Sequence, residues 1–150
     1  MPFQHDTYDR RIQLGASRRR REDAESLHAA GRWAGAVYLG GYALECSLKA
    51  LICYHEGKHS VKDTRMFGKG VSGVTLHDLT HLLAELPVIQ RTISLDRTGK
   101  YKEAWNIVTS LWHKDVLRYW DRVGNRQDGE RFMSAMQMLH NFILRQQGET

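Results

Sequence analysis

Little in this sequence would interrupt a helix. Only two prolines occur in 150 residues, Pro2 and Pro87, which excludes collagen-like, polyproline and Pro-rich disordered architectures. Two cysteines are too few for a disulfide-stapled fold. Cys46 and Cys53 fall seven positions apart in one apolar stretch. On a helix that separation is about 10 Å along the axis, beyond the reach of a disulfide. They read as free thiols packed in a core, the state of a reducing compartment. No apolar run follows the opening MPFQHDTYDRR, so no secretory signal is predicted and the expected location is cytoplasmic. Internal repeats and low-complexity tracts are absent. The basic, glycine-rich segment after Glu56 lacks the spacing of a phosphate loop around Gly68-Lys69-Gly70 and reads as a connection. No cofactor motif is present.

What remains is ordinary for a globular chain: 41% hydrophobic and 26% charged residues, long enough for one domain with its own core. The formal charge of +5 and pI near 9.4 suit nucleic acid, nucleotide or an acidic protein partner, and equally suit a protein that binds none of these.

The stretch Trp33 to Glu56 is the natural centre of the fold. At 100° per residue its side chains sort into stripes. Trp33, Val37, Gly40, Leu44, Leu48 and Leu51 form a large apolar one. Ala36, Leu39, Ala43, Cys46, Ala50 and Cys53 form a smaller one beside it. Tyr38, Tyr42, Glu45, Lys49 and Glu56 share the third with Ile52. A helix apolar over more than half its circumference needs at least two others to cover it. The length would span a bilayer, but Glu45 and Lys49 at its middle argue against that, and no membrane partner is expected.

Around this centre the pattern predicts an N-terminal extension over residues 1–15 and a single helical domain over 16–150. A first helix is expected from Ser17 to Ala30, capped by Gly31. A helix LHDLTHLLAEL should open on a Thr75/Asp78 capping box and stop at Pro87. Another should begin after Asp96, bury Tyr101, Trp105, Val108 and Trp112, and run toward DVLRYWDR. The last should be capped by Asp128, with Phe132, Met136, Leu139 and Ile143 inward. Short connections favour antiparallel neighbours, giving an all-α bundle.

Three groups of residues invite a chemical reading. His55-Glu56-Gly57-Lys58-His59 matches H-E-x-x-H, a zinc motif that needs both histidines on one continuous helix. Gly57 should end the helix there, so no metal site is predicted, even with His77 and His81 as a second pair. Arg18, Arg19, Arg20 and Arg21 point in four directions on a helix. They form either a solvated collar balanced by Glu22, Asp23 and Glu25 or a phosphate-binding patch. Glu45 and Lys49, spaced i, i+4, can pair. They form either a structural brace or, with Tyr38 and Tyr42, the lining of a pocket or dimer seam.

The run GRWAGAVYLGGYALECSLKALI, preceded by DAESL and followed by HDL (His77-Asp78-Leu79) and LRYWDR, resembles the HEPN superfamily over roughly Ser17 to Arg145. The resemblance implies a four- to five-helix up-and-down antiparallel bundle that homodimerises. It implies RNA or nucleotide binding in a toxin–antitoxin or defence setting, or a role as the partner of a small nucleotidyltransferase. Catalytic members place an Arg four to six residues before a His, late in the fold. Here the order is reversed, with His113 preceding Arg118. A metal-independent ribonuclease would use His113 and Arg118 as base and cation. The binding residues expected on this reading are Arg118, Arg122 and Arg126, with Arg18 to Arg21 adding charge.

Overall fold

The computed structural model describes residues 6–71, 73–119 and 125–150. It is all-helical, with eight α-helices among the described residues. The longest are α1 (Arg10–Ala29), α2 (Trp33–Glu56) and α8 (Arg126–Arg145), joined by α6 (Lys100–Leu111). Shorter helices α3 (Arg65–Gly68), α4 (Leu79–Ala84), α5 (Pro87–Leu95) and α7 (Lys114–Tyr119) complete the bundle.

Helix α2 is the core. Fourteen of its residues are buried, among them Leu44, Leu48, Leu51 and Ile52. It packs on α1 and α8, with α4 and α7 covering another side. By length and composition α2 could cross a bilayer, but 78% of that span is buried inside the protein. From α8, Phe132, Met136, Leu139 and Ile143 bury completely against it. The glycine pair within α2 makes this packing close. A Cβ on Gly40 would lie 2.7 Å from Phe132, and one on Gly41 only 1.9 Å from Trp112. Real Cβ contacts are never that short, so the indole of Trp112 rests directly on backbone.

Several boundaries differ from those the sequence suggests, each for a local reason. Helix α1 opens at Arg10, because Asp9 caps it by accepting from Arg11 N. Residues 10–15 are therefore helix rather than an arm. Leu14 is buried with Ala50 and Leu144, and Tyr8 O accepts from Val61 N at 2.9 Å. Pattern reading misses this because the inward positions of α1 include the small Ser17 and Ala24. Asp78 rather than Thr75 caps α4, accepting from His81 N at 3.0 Å. Pro87 stops one helix and starts the next from the first-turn position that suits its missing N–H. Asn125, rather than Asp128, caps α8 by accepting from Asp128 N. The expected single helix after Asp96 is two, α6 and α7, with the chain leaving helical geometry at Trp112, whose ring sits on Gly41.

Helix α2 ends where the H-E-x-x-H pattern would have to continue. Gly57 takes a left-handed φ of 65°, while Lys58 N bonds back to Cys53 O. His55 is on the helix and His59 lies beyond it. Among the described residues no group of three or more metal-ligating side chains forms.

Candidate functional site

Glu45 and Lys49 pair as their spacing predicts, at 3.1 Å, with both side chains only 4% exposed. Two residues from elsewhere join them. His77 Nδ1 lies 3.1 Å from Glu45 Oε2 and 3.1 Å from Lys49 Nζ. That nitrogen serves one of the two at a time: protonated it donates to Glu45, and unprotonated it accepts from Lys49. Lys114, the first residue of α7, brings its ammonium to 3.6 Å from Glu45 Oε1, donates to the His77 carbonyl, and sits over the Trp112 ring. Oε1 itself is buried and, among the described residues, has no hydrogen bond. The ammonium nearby compensates a charge that would otherwise cost several kcal/mol to bury.

Trp112 closes one side of the cluster. Its indole N–H donates to Tyr38 O at 3.0 Å, and its ring meets Tyr42 edge-on with centroids 5.3 Å apart. Tyr42 in turn meets Tyr38 edge-on. The two tyrosines therefore pack as an aromatic ladder behind Trp112. Beside the cluster a cleft of about 110 Å³ is lined by His77, Asp78, Thr80, Thr109, Trp112 and Lys114. Glu45 and Lys49 form its buried support rather than its surface. His77 reaches it with a side chain 43% exposed. The cleft thus offers an imidazole, an ammonium and hydroxyl groups to a polar ligand.

The predicted arginines fall into two groups. On α1, Arg18 bonds Glu149, Arg20 bonds Asp23, and Arg21 bonds Glu25 and Asn141; Arg19 is exposed. Of the second group, Arg118 lies in α7, Arg122 falls outside the described residues, and Arg126 opens α8, exposed and paired with Glu130 at 2.9 Å. Arg21 reaches Asn141, fifteen residues along α8 from Arg126. At ~1.5 Å per residue, the point on α8 that Arg21 reaches stands about 20 Å from Arg126. His113 is exposed at the break before α7, and among the described residues its ring has no hydrogen-bond partner. The side chain of Arg118 lies outside the described residues.

A second buried polar group is structural. His140 Nε2 lies 3.1 Å from Ser17 Oγ, and its Nδ1 lies 3.1 Å from Arg21. Ser17 donates its own proton to Leu14 O at 2.8 Å. It therefore accepts from the histidine and is no activated nucleophile. Burial first, then Arg21 and Arg18, lower the His140 pKa to about 4, so the ring stays neutral. Both thiols are free, and burial pushes each up to about 11.

Farther round the bundle, a groove of about 490 Å³ runs between α6 and α8. Its floor is Ala104, Ile107, Ala135 and Met138, and its rim carries Lys100, Glu103, Glu130 and Arg131.

The sequence signals Glu45 and Lys49 by their spacing and His77 through HDL, but nothing in it marks Lys114 or the seat of Trp112 on Gly41. Comparison with family models, curated proteins and solved structures gives no match.

Proposed function

We propose that this chain is a HEPN-like helical protein that homodimerises and binds RNA or nucleotide through the basic segment running from α7 into α8. One observation carries the reading. Two of the stretches on which the resemblance rests meet at a single carboxylate, Glu45 from YLGGYALEC and His77 from HDL, and Lys114, outside those stretches, joins them.

On α1, Arg18, Arg20 and Arg21 are engaged with acids or an amide and Arg19 is exposed; we assign the binding role to Arg118, Arg122 and Arg126, of which Arg126 pairs with Glu130. The α6–α8 groove supports self-association. Its rim carries two charges of each sign around an apolar floor, which suits a two-fold contact.

The test is binding of a short single-stranded RNA, and separately of a mononucleotide, across a salt series. Log K should fall linearly with log salt, because phosphate contacts release counterions. Absent binding, or binding indifferent to salt, rejects the reading. Light scattering that returns only monomer rejects the dimer.

A further inference from the structure

We infer that Glu45 is a positioning residue for α7, acting through Lys114; its functional consequence rests on the binding reading above. The argument is one of charge and length. Glu45 is already neutralised by Lys49, from its own helix, and faced by the His77 imidazole at 3.1 Å. Lys114 is a second cation where one suffices, and it arrives from a different element. Its ammonium makes three engagements: Glu45 Oε1 at 3.6 Å, the His77 carbonyl, and the Trp112 ring at 5.1 Å. One is a hydrogen bond, one an ion pair and one a cation–π contact, and each comes from a part of the chain outside α7.

Helix α7 has six residues, far fewer than the ~12–15 at which an isolated helix becomes even marginally stable in water. It persists only where something holds it. Among its described side chains two do so: Lys114 at its first position, and Leu117, which is 6% exposed. Arg118 lies one turn after Lys114 on the same short helix. A carboxylate in the centre of α2 therefore holds, through Lys114, the start of the short helix on which Arg118 lies.

Hydrogen exchange and RNA affinity, measured on the full chain, test this with three variants. Lys114→Met keeps the aliphatic stem and removes the charge. Lys114→Arg restores a cation. Lys102→Met removes one positive charge from an exposed position on α6. In Lys114→Met, exchange over residues 113–119 should rise roughly tenfold while α2 and α8 stay protected. RNA affinity should fall several-fold more than in Lys102→Met, and Lys114→Arg should recover most of both losses. Unchanged exchange over 113–119 overturns the inference, as does an RNA affinity no lower than that of Lys102→Met. Wild-type protein that binds no RNA overturns the functional reading before any variant is made, and the exchange comparison still decides whether Lys114 holds α7.

Discussion

The carboxylate of Glu45 and the imidazole of His77 meet at 3.1 Å across 32 residues of chain. Neither would be an obvious choice for a packed interior. Together with Lys49 and Lys114 they form a polar cluster, with Glu45 and Lys49 buried and His77 reaching the surface, that joins α2 to the HDL segment and to α7. Well-packed apolar side chains would serve stability at least as well as a buried ion pair. The cluster is better understood as a device that fixes where its elements sit.

Removing Glu45 should show this as a large loss. Glu45→Ala leaves two ammonium groups facing each other without a counter-charge, and about 3–5 kcal/mol of stability should go with it. A triple variant replacing Glu45, Lys49 and Lys114 by apolar residues of similar size should recover most of that loss, as read from urea unfolding midpoints. A single variant within 1 kcal/mol of wild type would contradict the burial and pairing described.

A pH dependence follows from His140. Its pKa lies near 4 in the folded protein against an ordinary 6.5, so between those values the unfolded chain binds the additional proton. Stability should therefore fall as pH drops through that window, by up to about 3 kcal/mol at ~1.4 kcal/mol per pH unit. His140→Gln can still donate to Ser17 and accept from Arg21, and should flatten this acid limb. Superimposable stability curves for the two proteins from pH 7 to pH 4 would contradict it.

Gly41→Ala tests the seating of Trp112. The added methyl has no room beside the indole, and forced overpacking of this kind costs about 1–3 kcal/mol. The ring must lift, which should shift tryptophan emission to longer wavelength. Unaltered emission and thermal midpoint would mean that the indole does not rest on this backbone.

The bundle was legible because helical periodicity is strong in α2 and α8, whose inward positions are large and apolar. It faded in α1, where Ser17 and Ala24 face inward. It also failed at Trp112, which keeps the spacing of the helical face but occupies the break between two helices. Of the polar cluster, the Glu45–Lys49 pair is local and readable from spacing. Lys114 is not, because its partner lies on another element and only tertiary structure brings the two together. The caps at Asn125 and Asp78 were misplaced by a few residues for a simpler reason: several neighbouring side chains could serve, and the backbone chose between them.

The most direct test of the central claim, that the segment from Arg118 to Arg126 carries binding while the arginines of α1 do not, is the salt dependence of RNA affinity. Wild type should be compared with Arg118→Ala/Arg122→Ala/Arg126→Ala and with Arg19→Ala/Arg20→Ala. At about 0.7 per phosphate contact on single strands, the first variant should lose about 2 from the slope of log K against log salt, and the second should lose little. An unchanged slope in the first variant, or an equal loss in the second, would contradict it.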